Sequence, residues 1–488
     1  MQKFNIPKEV LGVVEALEGA GFEAYIVGGC VRDLLLNKKP KDWDVCTSAK
    51  PEEIQKLFAK SFYENRFGTV SVVTDSEDPT LKTIEITPFR LEAKYSDKRH
   101  PDEVSFGATL KEDLARRDFT INAIALKFPI SKIQIIDYFG GQKDLQQKLI
   151  RAVGNPEERF DEDALRMMRA VRLATELEFK IEETTQQAII KKADLLRMIA
   201  KERIRDEFIK IIMSDRPDKG IEQMHELGIL KHIVPELEEG IGVKQNKAHV
   251  YTVWEHSLRS LMHAVRKKWP LDIRLAVLLH DVAKPRTKRG EGPDCTFYGH
   301  EVVGAKMTAR ILSRLKFPKK FTEKVVRLVR YHLFFSDTDV ITLSAVRRII
   351  RNVGPENIWD LMKVRFSDRT GMGRPKEAPY RLRKYEVMIE QCLRDPISVG
   401  MLKVNGNDVM KLAGIDPGPR VGYILHALLE EVLDDPSRNT KEYLEGRIRE
   451  LAKLPDEQLR QLGERGKEKK AAIEEEKIAE IKKKYCVR

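Results

Sequence analysis

The feature that most constrains the fold is a change in hydrophobic spacing near residue 147. Before it, short β-branched runs alternate with amphipathic segments, which predicts strands mixed with helices. From Glu157 to about Leu454 nearly every segment has helical spacing, with Pro and Gly mostly at the joints. The strands expected first are Glu23–Val27, Trp43–Cys46, Val70–Thr74 and Lys82–Pro88. The sequence therefore predicts a small α/β head followed by a long helical body.

Length and charge narrow the class of protein. At about 100–200 residues per domain, a chain of 488 residues is expected to form three or four units. Lys and Arg total 88 against 76 Asp and Glu, and the net charge of +12 permits a polyanionic partner such as nucleic acid. The longest uncharged apolar runs, such as Leu275–Leu279, are far shorter than the roughly 18 residues of a membrane span. No membrane association is expected.

The N-terminus and the cysteines favour a cytoplasmic protein. Lys3, Lys8 and Glu9 interrupt the apolar residues at the start of the chain, so no signal peptide is expected there. The five cysteines form no CxxC pair. An odd and scattered set favours reduced thiols over a disulfide framework or a thiolate zinc site.

A glycine pair and an aspartate pair lie close together in the head. Gly28-Gly29 joins a predicted strand to a predicted helix, where backbone N–H groups can approach a phosphate. Asp42 and Asp44 are two apart on a predicted strand, so their carboxylates share one face. Such carboxylates repel unless a cation lies between them, and Mg²⁺ prefers carboxylate oxygens together with substrate phosphates. An isolated pair would indicate a solvated strand end, but the neighbouring glycine turn favours a phosphate and metal site.

This pairing resembles the nucleotidyltransferase superfamily that includes DNA polymerase β. Four further motifs follow in order: Arg116–Ala123, Asp137–Asp144, Glu162–Arg166 and Glu202–Phe208. With them, the chain resembles the bacterial class II tRNA nucleotidyltransferases and their poly(A) polymerase relatives. The resemblance implies an α+β fold class, with a polymerase-β-like nucleotidyltransferase head followed by a long all-α body.

The resemblance also implies roles for individual residues. Asp42 and Asp44 would be the catalytic residues and would hold Mg²⁺, which activates the primer 3′-hydroxyl and neutralises the triphosphate. The residues expected to bind the nucleotide, CTP or ATP, are Gly28, Gly29, Arg32, Arg117, Asp118, Asn122, Asp163, Arg166, Arg169 and Arg172. The first three would contact phosphates and the next three the ribose. Glu85 is a candidate third carboxylate and Arg90 a candidate brace, although a solvated strand position explains either residue equally well.

The Glu162–Arg166 motif has two interpretations. On one helix, residues three apart share a face, and most Asp/Arg pairs at that spacing are simple ion pairs. The resemblance implies instead that Asp163 accepts a hydrogen bond from a base and Arg166 donates one. Cytosine and adenine both present an amino donor beside a ring-nitrogen acceptor, whereas guanine and uracil present the reverse order. One Asp–Arg pair can therefore accept C and A and reject G and U.

The segment between Arg90 and Arg116 is polar, and its length suggests a functional or disordered loop. In the resembling family, a mobile element here is needed for switching from C to A addition. Its presence therefore argues against an enzyme that adds only C.

A second set of chemistry-bearing residues lies in the middle of the chain. Its order resembles the HD phosphohydrolase superfamily over about residues 245–370, and the candidate metal ligands are His256, His280, Asp281, His300, His332 and Asp368. Imidazole and carboxylate ligands together suit transition-type ions such as Mn²⁺, Ni²⁺ or Co²⁺. A lone helical histidine usually packs or faces solvent. The adjacent His280 and Asp281 after a buried apolar run are harder to explain as packing.

The expected HD chemistry is attack of metal-bound hydroxide on a phosphate ester, for example a 2′,3′-cyclic phosphate. Because some members carry a decayed version of the domain, a purely structural role is the alternative. His249 and His263 are interpreted as structural.

The remaining sequence predicts a helical tRNA-binding part. The run Gly414–Gly422 is either a phosphate cradle opening a helix or a plain helix–loop–helix, and Gly463–Arg488 is a charged helix or a frayed tail. The predicted domains are the head (1–147), a helical neck (148–240), the HD domain (241–372) and the C-terminal body (373–488).

The favoured function is addition of C, C and A to tRNA 3′ ends without a nucleic-acid template. The alternatives are an enzyme that adds only the terminal A, a poly(A) polymerase, and an RNA-binding HD phosphohydrolase whose head only recognises nucleotides. The intact Asp42/Asp44 pair argues against the last of these.

Overall fold

The computed structural model describes residues 4–63, 68–93, 103–128, 133–246, 250–334, 341–374, 376–393 and 399–487. The chain forms two compact units, each contributed by two stretches of sequence. The first unit is Met1–His332 with Lys363–Arg374, and the second is Leu333–Met362 with Pro375–Arg488. The division into four domains stays a prediction.

The strands of the first unit form one large mixed sheet and two small ones. They are β1 (Ala24–Val27), β2 (Asp44–Thr47), β3 (Ser61–Tyr63), β4 (Val70–Val73), β5 (Thr83–Pro88), β6 (Arg90–Ala93), β7 (Glu103–Phe106), β8 (Ala125–Lys127), β9 (Gln134–Ile136), β10 (Leu149–Ile150) and β11 (Lys180–Ile181). The large sheet has the order β3-β4-β5-β2-β1-β8-β9. Only its β2–β5 pair is parallel. The small sheets are β6–β7 and β10–β11.

The centre of the large sheet brings functional residues together. β1 is buried along its whole length, as expected for a central strand covered on both faces. The β2–β5 register places Asp44 beside Glu85. β5 alternates exposed and buried residues, which is the period that its sequence predicts.

Helices account for most of the rest of this unit. They are α1 (Lys8–Gly19), α2 (Gly29–Leu35), α3 (Pro51–Leu57), α4 (Leu110–Ala115), α5 (Gly141–Gln147), α6 (Pro156–Glu162), α7 (Leu165–Leu177), α8 (Glu183–Lys192), α9 (Lys201–Met213), α10 (Pro217–Glu226), α11 (Pro235–Glu238), α12 (Val253–Arg266), α13 (Leu271–Leu279), α14 (Lys284–Thr287), α15 (His300–Arg314) and α16 (Lys319–Tyr331). α1 buries Val10, Val13, Val14 and Leu17, a helical spacing that gives it one apolar face.

The structure corrects two local expectations. The described ends of the polar segment between Arg90 and Arg116 are not structureless, because they form β6, β7 and α4, and Thr109 and Glu112 make a capping box for α4. The predicted C-to-A switching element at residues 94–102 lies outside the described residues. The helical spacing predicted from Glu157 onward is interrupted near its start, since α6 ends at Glu162 and α7 begins at Leu165.

The second unit is helical throughout its described part. Its helices are α17 (Leu343–Val353), α18 (Ile358–Gly371, which continues into the first unit), α19 (Tyr380–Leu393), α20 (Gly406–Ala413), α21 (Pro419–Asp434), α22 (Lys441–Leu451) and α23 (Asp456–Lys484). α21 and α23 approach so closely that a Cβ atom at Gly466 would lie 2.2 Å from the carbonyl oxygen of His426. The charged C-terminal sequence is therefore a packed helix. Among the helices of the described residues, none has the length and apolar character to cross a membrane.

Candidate active site and metal centre

An open cavity of about 560 Å³ lies beside the central strands of the head. Every residue that the sequence predicts as catalytic or nucleotide-binding lines it, and so does Arg90. Glu85 is exposed on β5 and is not among the lining residues. The walls come from β2 and α2 on one side and from α7 and α9 on the other. Residues far apart in sequence therefore face one space.

Asp42 and Asp44 both face this cavity, but only Asp44 belongs to the strand. β2 begins at Asp44, Trp43 is buried, and Asp42 is exposed in the bend before it. The prediction that both carboxylates lie on one strand is therefore wrong, although they do share the cavity. Burial raises the pKa of Asp44 to about 6, the Arg117 guanidinium opposes this, and the Asp42 carboxylate adds to it. Such a carboxylate pair fits a hard divalent cation, whose charge would favour the ionised form of Asp44.

Gly28 is required by space as well as by backbone conformation. Its φ of 84° lies in the left-handed region that favours glycine. A Cβ atom there would lie 2.9 Å from Asp44 Oδ2 and 3.1 Å from Arg117 Nη1. The turn between β1 and α2 therefore lies close against the carboxylate and the guanidinium, and a larger residue would have to displace both side chains.

A chain of hydrogen bonds links four of the predicted nucleotide-binding residues. Arg32 Nη1 donates to Asn122 Oδ1 at 2.9 Å, and Asn122 Nδ2 donates to Asp118 Oδ1 at 3.1 Å. Arg169 Nε donates to Asp118 Oδ2 at 2.7 Å. Burial alone would raise the pKa of Asp118, but the Arg169 guanidinium and the Asn122 amide hold it well below its usual range. The carboxylate stays ionised and fixes these groups in place.

Asp113 is a positioning residue that the sequence reasoning missed. Its side chain is fully buried and lies 2.6 Å from Arg116 Nη2 and 3.4 Å from Arg117 Nη2. It precedes these arginines by three and four residues on and just beyond α4, a spacing that places side chains on one face. That spacing is the signal that could have found it.

Asp163 and Arg166 line the cavity without pairing to each other. Arg203 donates to Asp163 through two nitrogens, at 3.2 and 2.7 Å. Arg166 donates to Glu162 at 2.5 Å and to the Arg116 carbonyl at 3.0 Å. Asp163 lies in the break between α6 and α7. The interpretation of Asp163 and Arg166 as a simple helical ion pair is therefore wrong.

Three further cationic residues line the same cavity: Arg116, Arg203 and Lys210. Arg203 lies in the Glu202–Phe208 motif, whereas no sequence pattern indicated Lys210. Arg172 is held by Glu207, with Nε 2.7 Å from its carboxylate. The neck side of the cavity is therefore strongly positive, which suits a triphosphate or an RNA backbone.

A second site lies within the same unit, where all six predicted HD residues converge and are buried. They form two groups of potential ligands, His256 with His280 and Asp368, and Asp281 with His300 and His332. In each group the ligand atoms lie within 4.8 Å of one another. The two carboxylate oxygens of Asp281 face different groups. Oδ2 is 3.3 Å from His256 Nε2, and Oδ1 is 3.4 Å from His300 Nε2.

Backbone carbonyls set the histidine orientation in this centre. The Nδ1 atoms of His280, His300 and His332 each lie 2.7 Å from the carbonyl oxygen three residues before them. A carbonyl only accepts hydrogen bonds, so Nδ1 carries a proton and Nε2 is the atom that faces the centre. His256 Nε2 and His280 Nε2 are 3.0 Å apart, and His300 Nε2 and His332 Nε2 are 3.3 Å apart. These converging nitrogens lie beside the carboxylates of Asp281 and Asp368, so the residues fit two metal ions.

Lys284 also belongs to this site, and the sequence reasoning did not single it out. Its buried ammonium group lies 2.7 Å from Asp281 Oδ2 and donates to Gln245 Oε1 at 2.6 Å. Burial alone would raise the pKa of Asp281, but His280 and Lys284 hold it well below its usual range. His263 lies outside the centre with Nδ1 3.0 Å from Ser367 Oγ, and His249 lies outside the described residues.

A mixed sheet that presents two carboxylates beside a glycine turn, with a helical body containing an HD centre, defines a nucleotidyltransferase with an appended HD domain. The chain matches three family models. These are the poly A polymerase head domain over residues 24–151, the probable RNA and SrmB-binding site of polymerase A over residues 178–241, and the HD domain over residues 253–378.

Individual proteins agree with these models. A CCA-adding enzyme of Lactobacillus delbrueckii subsp. bulgaricus is 34% identical, over 89% of this chain and 95% of that protein. A CCA-adding enzyme of Lactobacillus helveticus is 53% identical over 42% of this chain, a match that spans about half of that relative (49%). The crystal structure of the Bacillus stearothermophilus CCA-adding enzyme in complex with CTP is 29% identical. It covers 91% of this chain and 96% of its own, with a TM-score of 0.55. The chain belongs to the CCA-adding enzyme family.

Proposed function

We propose that this protein adds C, C and A to tRNA 3′ ends from CTP and ATP without a nucleic-acid template. The observation that carries the proposal is that the aspartate pair and the Asp163/Arg166 pair line one cavity. A site for transfer and a site for base selection then face the same nucleotide. The family indicates nucleotidyl transfer, and the geometry of the cavity indicates selection of C and A. These two activities can be tested separately.

In this mechanism Asp42 and Asp44 would hold Mg²⁺, which would neutralise charge on the triphosphate and favour ionisation of the attacking 3′-hydroxyl. Arg32 and the backbone at Gly28-Gly29 orient the phosphates. The ionised Asp118 accepts hydrogen bonds from Arg169 and Asn122. These bonds hold the side chains that would contact the ribose in place.

Base selection follows from hydrogen-bond direction. Asp163 accepts from the exocyclic amino group of cytosine or adenine, and Arg166 donates to the neighbouring ring nitrogen. Arg203 and Glu162 hold the two side chains, so neither can rotate freely to match the reversed pattern of guanine or uracil. A site that hydrogen-bonds its substrate rejects an analogue that leaves buried groups unpaired.

The decisive experiment supplies tRNA ending at the discriminator base, with CTP and ATP given singly and together. Extension by three residues in the mixture, and by two with CTP alone, is the expected result. Extension only of tRNA that already ends in CC would favour the A-adding alternative. Long A tails would favour a poly(A) polymerase.

A second activity is favoured by the buried HD residues. The paired Nε2 atoms and the position of Asp281 between the two ligand groups support metal-dependent hydrolysis of a phosphate ester, with Mn²⁺, Ni²⁺ or Co²⁺ as the ion. A 2′,3′-cyclic phosphate on a damaged tRNA end is the substrate that would serve the head, because its opening precedes recovery of an extendable hydroxyl. Hydrolysis of 2′,3′-cyclic nucleotides, assayed with each metal in turn, tests this proposal.

A further inference from the structure

The antiparallel hairpin of α15 and α16 holds an unusual share of the positive charge. Between His300 and Tyr331 the sequence has nine Lys or Arg residues and two Glu. That surplus of seven is more than half of the net +12 of the whole chain.

Some of these cations are neutralised locally. Arg314 pairs with Glu236 at 2.7 Å, Lys324 with Asp272 at 2.6 Å and Arg330 with Glu301 at 3.7 Å. Four others are Lys306, Arg310, Lys316 and Lys320, here called the hairpin cations. Each is exposed, and none forms an ion pair with any residue in the described part of the chain. Their charge therefore faces solvent and is free to attract an anion.

The hairpin cations follow one another along α15, the turn and the start of α16. Lys306 and Arg310 are four residues apart on the exposed side of α15, about 6 Å along its axis. Lys316 and Lys320 continue from its end through the turn into α16. No large apolar side chain of α15 or α16 is exposed. A protein partner would need an apolar interface core, whereas a phosphate backbone needs only spaced cations.

This surface adjoins the segment that matches the polymerase RNA-binding model. Arg205, on α9 within residues 178–241, donates from Nη1 to the carbonyl oxygen of Lys316 at 2.6 Å. The hairpin turn is thus fixed directly against that segment. A bound RNA that follows α9 would meet the hairpin cations next.

We propose that the hairpin cations are a tRNA-binding surface that grips backbone phosphates, in addition to the cavity of the head. The inference rests on the proposed function for the identity of the RNA as tRNA. Lysine and arginine at this spacing contact phosphates without reading bases, so the surface contributes affinity and salt dependence but no sequence preference.

The test is binding of fluorescently labelled tRNA to the full chain, measured by anisotropy at several salt concentrations between about 50 and 200 mM. The variant is Lys306→Gln with Arg310→Gln and Lys320→Gln. Loss of three phosphate contacts should lower the slope of log affinity against log salt by about two and weaken binding at least about tenfold at low salt. In nucleotide addition, KM for tRNA should rise while kcat is unchanged.

The control is Arg266→Gln with Lys267→Gln and Lys268→Gln, which removes the same charge from an exposed run of the HD domain at the end of α12. It should bind tRNA with the wild-type slope, and the melting temperatures of all three proteins should agree. Equal weakening by both variants, or a wild-type slope in the hairpin variant, overturns the proposal. A wild-type protein that binds tRNA but adds no nucleotide would contradict the proposed function and leave the binding result standing.

Discussion

The head cavity and the HD centre both contain aspartates, but they differ in how far their side chains are exposed to water. The cavity is open, has a volume of about 560 Å³, and leaves Asp42 exposed. All six candidate ligands of the HD centre are buried, and His256 and His280 have no exposed surface. An open cavity suits substrates that must enter and leave. A buried set of ligands suits ions that stay.

Burial raises the pKa of a carboxylate in both sites, yet the net pKa shifts have opposite directions. In the cavity, burial raises the pKa of Asp44, because Arg117 only partly offsets it. In the HD centre, the more deeply buried Asp281 has a lowered pKa, because His280 and Lys284 lie beside it. In the HD centre, Lys284 places a fixed positive charge 2.7 Å from Asp281, whereas the positive charge beside Asp44 does not offset its burial. This difference predicts that nucleotidyl transfer and metal retention can be abolished independently.

The largest expected effect is on transfer by the head. Asp42→Ala or Asp44→Ala should lower addition of both C and A by at least about 10³-fold, because the metal-held stabilisation of the transition state is worth several kcal/mol. Binding of tRNA should be nearly unchanged, since it depends on basic residues. Rapid-quench assays and anisotropy titrations measure the two quantities. Near-normal transfer by both variants would remove the pair from the mechanism.

The composition of the head site could be predicted from sequence because its motifs are short. Gly28-Gly29 and Asp42–Asp44 each keep their functional atoms within a few residues, and the structure brings all the predicted catalytic and nucleotide-binding residues except the candidate Glu85 to one cavity. The hydrogen-bond partners of these side chains were harder to predict. Asp163 accepts from Arg203, forty residues away, and nothing in local spacing indicates such a contact.

In the HD centre, the sequence indicated the residue types but not how they come together. The residue types were evident from the sequence, but their convergence depends on the packing of α12, α13, α15, α16 and α18. The carbonyl acceptors for the Nδ1 atoms follow from where each histidine lies at a helix end, and a sequence gives helix ends only approximately. Lys284 was missed because a lysine after an aspartate is ordinary on a helix surface, and only the fold buries it.

The second prediction concerns metal retention. His280→Ala and Asp281→Ala should each weaken binding of Mn²⁺, Ni²⁺ or Co²⁺ by at least about 100-fold. Each removes a direct ligand, and even the loss of a residue that only hydrogen-bonds a ligand lowers metal affinity about 10–100-fold. Hydrolysis of 2′,3′-cyclic nucleotides should be lost with it. His263→Ala is the matched control, a buried histidine that bonds Ser367 and should leave metal content intact. Full metal content in the His280 variant would mean that the centre is a structural cluster.

The third prediction concerns nucleotide choice in the cavity. Arg166→Ala should lower the preference for CTP and ATP over UTP and GTP at least about tenfold, because the base then loses its fixed donor. Arg159→Ala is the control, since Arg159 pairs with the same Glu162 but does not line the cavity. Single-turnover rates with each nucleotide give the comparison. A slower variant with unchanged preference would indicate that Arg166 only supports the local fold.

The smallest effect is on stability, and it compares two carboxylates of the same cavity in metal-free buffer. The folded-state pKa of Asp44 is about 6, above its unfolded value of about 4. The folded state therefore binds more protons between these values, and the Asp44 carboxylate destabilises it increasingly as pH rises through this window. Asp44→Asn should raise the free energy of unfolding at pH 8 by roughly 1–2 kcal/mol and have no effect below about pH 4.

Asp118→Asn should act in the opposite direction. Because Arg169 and Asn122 hold the pKa of Asp118 below its usual range, the charged form stabilises the fold above a pH of about 4, and this contribution is lost on acidification. The variant should therefore be less stable than wild type at neutral pH and converge with it in acid, as urea titrations at each pH would show. Added Mg²⁺ sharpens the comparison, because it should stabilise the wild type at pH 8 more than Asp44→Asn. If Asp44→Asn is instead destabilised without metal at pH 8, then Arg117 outweighs burial and the cavity does not depend on an external cation.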